Sequence, residues 1–184
     1  MNQSIAPARV ETPRLTLRMF HEADWDAVSE IFGDEECVRY TIGSTLNRWQ
    51  SWRALAGYIG HWSLRGYGPY AATERSTGET IGAVGLWYPG EWPEPEVKWV
   101  LARRFWGRGY ATEAAAAVIS MARVDLGWRR LISLIVPGNE RSKAVARRLS
   151  GTYEKTIPFR DHVAEIFAYA LESEIVDRPQ PPRG

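Results

Sequence analysis

At 184 residues the chain has the length of one domain, enough to bury about 70% of its unfolded surface. Hydrophobic residues at 45% and nine tryptophans exclude a disordered polar chain in favour of a packed core. A net charge of +1 provides no global field for nucleic acid or an anionic membrane. One cysteine, Cys37, excludes an intrachain disulfide and a cysteine metal cluster. Glu35 and Glu36 beside it disfavour a nucleophilic thiolate. No 18-residue apolar run and no signal-peptide core occur, so a cytoplasmic location without membrane or nucleic-acid partners is expected. A single domain is expected over residues 9–176, with flexible tails at 1–8 and 177–184.

Arg14 to Met19 alternates, with Leu15, Leu17 and Met19 on one side, the pattern of a half-buried strand. Glu22 to Phe32 places Trp25, Val28, Ile31 and Phe32 at helical spacing. Asn47 to Leu64 does the same with Trp49, Trp52, Leu55, Ile59 and Trp62, and Asn47 is its expected cap. Tyr70 to Glu74 and Thr80 to Trp87 read as strands joined by Ser76-Thr77-Gly78. A proline-rich loop from Pro89 to Pro95 precedes a strand at Glu96 to Leu101. A helix follows over Arg108 to Leu126, then a strand over Arg130 to Val136 and a helix over Asn139 to Leu149. Two last strands are expected at Thr152 to Phe159 and Val163 to Leu171. The order predicts a mixed sheet with helices on both faces.

The segment Arg104-Phe105-Trp106-Gly107-Arg108-Gly109-Tyr110-Ala111-Thr112-Glu113-Ala114 lies at a strand-to-helix junction. Two glycines one residue apart let backbone N–H groups gather around an anion, and the helix start adds unpaired amides and the positive dipole end. Three phosphate-binding patterns compete for this segment. The mononucleotide loop requires a lysine and a hydroxyl after its last glycine, where the chain has Tyr110 and Ala111. The dinucleotide fingerprint requires a third glycine at Thr112 and an acidic residue about 20 positions on, where Arg129 and Arg130 stand. The third is Arg/Gln-x-x-Gly-x-Gly/Ala, present as Arg104, Gly107 and Gly109.

In that spacing, and in the fuller run Trp-Gly-Arg-Gly-Tyr-Ala-Thr-Glu-Ala, the chain resembles the GNAT superfamily of acyl-CoA-dependent N-acetyltransferases. Its branch resembles the RimJ/RimL-type ribosomal-protein N-terminal acetyltransferases. The resemblance extends from about Thr12 to Glu172. It implies an α/β (α+β) fold: a mixed, mostly antiparallel central sheet of about seven strands flanked by about four helices. It further implies acetyl-CoA as co-substrate without a metal, an amine acceptor, and a homodimer to which Trp87, Tyr88 and Trp92 would contribute as exposed aromatics. By the same resemblance Arg104, Gly107, Arg108, Gly109, Tyr110, Ala111 and Thr112 hold the pyrophosphate. Val100, Leu101 and Arg103 supply backbone contacts to the pantetheine arm and thioester. Asn139, Ser142 and Lys143 open a helix beside the cofactor, and that helix ends at Gly151.

Acylation requires a neutral amine. A lysine-type amine is only about 0.1% neutral near pH 7.4, whereas an α-amine loses under about 1 kcal/mol to protonation. Glu96, opening the strand that leads to the glycine loop, is the expected base, with Glu94 in reserve. Many superfamily members carry a tyrosine acid seven residues after the asparagine; this chain has Ala146 there, with Tyr153 further along. The acidic residues Glu91, Glu94 and Glu96, with Asp34, Glu35 and Glu36, suggest a cationic acceptor. His21, His61 and His162 lack metal-ligand spacing, and for His61 packing is the expected role. The acceptor is a peptide N-terminus or a small amine. A silent acyl-CoA-binding module is the alternative from another class.

Overall fold

In a computed structural model, which describes residues 5–41 and 43–171, eight strands form one sheet in the order β1-β2-β3-β4-β5-β6-β8-β7. They are β1 Arg9–Glu11, β2 Leu15–Arg18, β3 Pro69–Glu74, β4 Thr80–Trp87, β5 Glu96–Leu101, β6 Arg130–Ile135, β7 Thr152–Phe159 and β8 His162–Ala170. The described α-helices are α1 Trp25–Gly33, α2 Glu35–Val38, α3 Arg48–Arg65, α4 Tyr110–Val124 and α5 Glu140–Arg148. The mixed architecture is as expected, with one strand and one helix more than the sequence suggested. The additions are β1 and α2, three and four residues long. Neither spans enough residues to display a period; β1 exists because it pairs with β2, Val10 opposite Leu17.

Each element follows from its sequence. The alternation in β2 buries Leu15 and Leu17 completely. In α3, Asn47 accepts from Gln50 N–H and Gln50 returns the bond to Asn47 N–H, both at 2.9 Å, while Gly66 at φ 72° ends the helix. The packed domain begins earlier than residue 9 among the described residues: Ala6 is buried and donates to Gly66 O at 2.9 Å, and Tyr70 Oη donates to Pro7 O at 2.7 Å. The C-terminal boundary and tail, at 176 and 177–184, lie outside the described residues.

Every neighbouring pair of strands is antiparallel except β5 and β6. These two run parallel and share a single register pair, Glu96 with Ile132. The crossover between them carries α4, which packs against β2, β4 and β5. On their outer sides the two strands are fully paired, β5 with β4 and β6 with β8. Between them the sheet opens like a fork. The outer pairing is close: a Cβ on Gly82 of β4 would stand 2.4 Å from Val100 O, so only glycine fits there.

Candidate active site

Side-chain groups hold the base of the fork. Ile132 N–H still reaches Pro95 O at 3.0 Å. One residue further, the Ser133 hydroxyl donates to Val97 O at 2.7 Å, and Leu134 N–H donates to Glu96 Oε1 at 3.1 Å. The second Glu96 oxygen accepts Trp92 Nε1 at 2.9 Å. Glu96 is buried, and burial pushes its carboxyl up to about 7 against the opposing pull of Lys98 and the two N–H donors. A carboxyl of that pKa exchanges protons at neutral pH. The expected base therefore sits at the origin of the fork and also replaces a missing ladder bond.

Backbone alternation decides which peptide groups face the opening. Ala102 N–H donates to Ile81 O on β4 at 2.9 Å, so Val100, opposite Ala83, also turns its peptide groups toward β4. The edges of Trp99 and Leu101 face the opening instead. This corrects the expectation for Val100, and Trp99 is the residue that sequence reasoning missed. Leu101 O is already taken by Trp106 Nε1 at 2.8 Å.

The glycine loop has the expected form. Gly107 and Gly109 adopt φ 76° and 81°, and Gly109 caps α4 without any side-chain bond. The first-turn amides of Tyr110, Ala111 and Thr112 are therefore free of side-chain caps at the positive end of the helix dipole, with Arg108 between the glycines. Arg14 shapes this loop. Its Nη1 donates to Arg108 O at 2.9 Å, its Nε to Glu113 Oε2 at 2.7 Å, and its guanidinium lies 4.4 Å above the Tyr110 ring. Glu113 also accepts Arg14 N–H at 2.8 Å and the Thr12 hydroxyl at 2.7 Å. The sequence places Arg14 in a strand and Glu113 in the glycine-loop run but does not pair them, because 99 residues separate them.

Other expected residues divide. Asn139 Oδ1 caps α5 by accepting Ser142 N–H at 3.1 Å, and the cap does not use its amide nitrogen. Lys143 points inward instead, its ammonium 3.0 Å from Glu140 and 2.9 Å from Glu165, which ties α5 to β8. The Arg104 side chain pairs with Glu30 and Glu79, and Arg103 with Asp34 at 3.1 Å, so neither guanidinium faces the loop.

Ala146 is buried, and the space beside it belongs to Tyr169: a Cβ on Gly151 would stand 2.7 Å from the Tyr169 ring. Gly151 is thus required for close approach, while the left-handed residue after α5 is Ser150 at φ 63°. Ser133 gives its proton to Val97 O, so the Tyr169 hydroxyl, 3.1 Å away, must donate to Ser133 Oγ. Burial pushes that phenol up to about 12. Tyr153 is exposed and bonds Thr156 at 3.1 Å.

The histidines stay apart. His61 bonds Tyr67 O through Nδ1 at 2.8 Å and accepts Tyr88 N–H at Nε2 at 3.0 Å, which requires the neutral Nδ1–H tautomer. It is a packing residue. His21 lies 3.3 Å from Asp24, and His162 is exposed near Phe159. Cys37 is buried, and desolvation pushes its thiol up to about 11, which agrees with an inert cysteine. Among the described residues no cluster of three or more histidine, cysteine or acidic side chains is placed to hold a metal.

Trp87, Tyr88 and Trp92 are half-buried rather than exposed. Trp87 stacks on His61 at 4.6 Å and meets Tyr58 at 5.6 Å, and Trp92 meets Phe159 of β7 at 4.8 Å. These contacts build an aromatic wall beside Glu96, and the three side chains are partly rather than fully exposed. Of the acidic residues expected to attract a cation, three are paired. Glu94 is held by Arg130 at 2.5 Å, Asp34 by Arg103, and Glu36 by Arg39 at 3.0 Å.

The chain as a whole is similar to known proteins. Residues 14–152 match the family model for the acetyltransferase (GNAT) domain. YkkB of Bacillus subtilis (strain 168), a protein described as uncharacterised, is 30% identical over 162 residues, covering 83% of this chain and 90% of its own. The crystal structure of an acetyltransferase from Agrobacterium tumefaciens str. C58 superposes with a TM-score of 0.80 at 30% identity, covering 92% of this chain and 98% of that one. A RimL ribosomal L7/L12 alpha-N-protein acetyltransferase in complex with coenzyme A shares the fold, with a TM-score of 0.70 at 20% identity over 90% and 97% of the two chains.

Proposed function

We propose that this chain, which belongs to the GNAT acetyltransferase family, moves an acetyl group from acetyl-CoA to a primary amine by direct attack in a ternary complex. The observation that carries this reading is the fork between β5 and β6, continued by the uncapped turn at Gly107 and Gly109. The open edge of Trp99 and the N–H of Leu101 suit the amide groups of a pantetheine arm. The first-turn amides of α4 suit a pyrophosphate, and Asn139 and Ser142 flank the arm from α5.

The amine nitrogen attacks the thioester carbonyl carbon and a C–N bond forms. The electron pair moves onto the carbonyl oxygen, where an edge N–H of β5 stabilises it. It returns as the C–S bond breaks. The proton lost by nitrogen passes through water to Glu96, and the departing sulfur regains one proton, giving an amide and free CoA. With Ala146 in place of a tyrosine, Tyr169 and Ser133 hold the fork and water supplies the sulfur's proton.

A peptide N-terminus or a small amine serves as acceptor, and the cytoplasm, where acetyl-CoA is formed, is the setting. Release of free CoA is the test, with one pool of peptides bearing varied N-termini and another of amino acids, polyamines and aminoglycosides. Turnover confined to one pool names the acceptor class. Tight acetyl-CoA binding with no turnover in either pool makes the chain a CoA-binding module and overturns the reading.

A further inference from the structure

Glu96 and Lys98 are two residues apart on β5 and so share one face of the sheet. Lys98 is half-buried, with its ammonium 5.0 Å from the Trp87 ring centre and 5.5 Å from that of Tyr58. Two more cations lie on the same aromatic wall: Arg160 is 5.1 Å from the Trp92 ring centre and Arg65 is 5.3 Å from that of Tyr88. Among the described residues no carboxylate lies within 4.0 Å of any of the three. Glu94 is held by Arg130, and Glu96, whose carboxyl feels the Lys98 charge, spends its two oxygens on Trp92 Nε1 and Leu134 N–H. Aromatic faces hold a cation in place without neutralising it.

We infer that Lys98 selects an acceptor carrying a carboxylate close to the reacting amine. This rests on the acetyl-transfer reading above and replaces the cationic acceptor suggested by sequence. A half-buried ammonium with no anion at ion-pair distance offers charge-assisted hydrogen bonds to an incoming carboxylate. It repels polycations, and it lowers the pKa of an acceptor amine beside it, which favours the neutral nucleophile. Arg160, at the β7–β8 turn, and Arg65, at the C-terminal end of α3, extend the same field outward for a longer acidic acceptor. The carboxylate can belong to a small amino acid derivative or to an acidic residue next to a peptide N-terminus, and the substrates below separate the two.

The experiment compares kcat/KM for acceptors matched in amine pKa and differing only in charge. Glutamic acid α-amide is set against glutamine amide, and amidated Ala-Glu-Asp against amidated Ala-Gln-Asn, with spermidine as a polycation. The acid member of one pair should be favoured about tenfold, the size expected of one hydrogen bond to a charged group. Lys98→Met should remove that preference and leave the acetyl-CoA KM unchanged, while Lys98→Arg keeps it. Equal turnover of acid and amide members, an equal loss for both in Lys98→Met, or preference for spermidine overturns the assignment. If no acceptor turns over, the acetyl-transfer reading fails by itself. Tryptophan fluorescence of the CoA-loaded protein then decides the selectivity: tighter binding of the acid member, lost in Lys98→Met, sustains it, and equal binding overturns it.

Discussion

Glu96 Oε1 accepts the N–H of Leu134 at 3.1 Å, at the point where β5 and β6 cease to pair. One carboxylate therefore replaces a ladder bond of the sheet and is also the proposed base. Burial raises its pKa from 4.5 to about 7. A carboxyl raised in the folded state contributes stability that is fully present below about pH 4.5 and is lost as pH rises through 7. The difference amounts to about 3 kcal/mol. Glu96→Gln should flatten this slope in urea titrations between pH 4.5 and 7.5. It should also lower kcat on the order of 10²-fold and remove the rate limb near pH 7, while acetyl-CoA still binds. An unchanged rate would leave Glu96 only its place in the sheet.

Arg14 fixes the glycine loop from outside by holding the Arg108 carbonyl and the Glu113 carboxylate. With that carbonyl held by Arg14, the loop amides are left to face an anion. Arg14→Ala should weaken acetyl-CoA binding about tenfold in calorimetry, with kcat at saturation little altered. Arg14→Lys should not restore it, because an ammonium cannot span both acceptors in the same planar geometry. A lowered melting temperature with unchanged affinity would reduce Arg14 to a tie between β2 and α4.

The two loop glycines differ in their surroundings. At φ 76° and 81° an alanine costs about 1–2 kcal/mol at either position. Space around Gly107 is open, whereas a Cβ on Gly109 meets Arg14 Nη2 at 3.4 Å. Gly109→Ala should therefore impair acetyl-CoA affinity more than Gly107→Ala. Equal affinities in the two variants would show that backbone strain alone governs the loop.

His61 is neutral because its two nitrogens face a carbonyl and an N–H. Burial lowers its pKa below 6.5. A lowered folded pKa gives stability fully present above about 6.5 and lost as pH falls through the folded value. His61→Phe should abolish this acidic dependence and cost about 1–3 kcal/mol at pH 8, since Tyr88 N–H loses its acceptor. Parallel stability curves for the two proteins between pH 5 and 8 would rule out a neutral lock.

The elements of the domain were legible in the chain because each announces itself locally. Leu15 and Leu17 alternate, Asn47 and Gln50 form a capping box, and Gly107 and Gly109 mark a turn that other residues enter only under strain. The place of Glu96 at the head of the strand leading to that turn was legible as well. Residues whose roles depend on distant partners were not. Arg104 is expected at the pyrophosphate and Lys143 beside the cofactor, yet their charges are spent on Glu79 and Glu165, 25 and 22 residues away. Strand parity likewise chose Trp99 over Val100, since a one-residue shift in register turns every peptide edge to the other side. The sequence by itself determined the order of strands and helices and the glycine turn before α4, through short-range periodicity and backbone sterics. Only the tertiary structure decided which charges remain free at the site, because pairing energies between residues such as Arg14 and Glu113 exist only once the sheet brings them together.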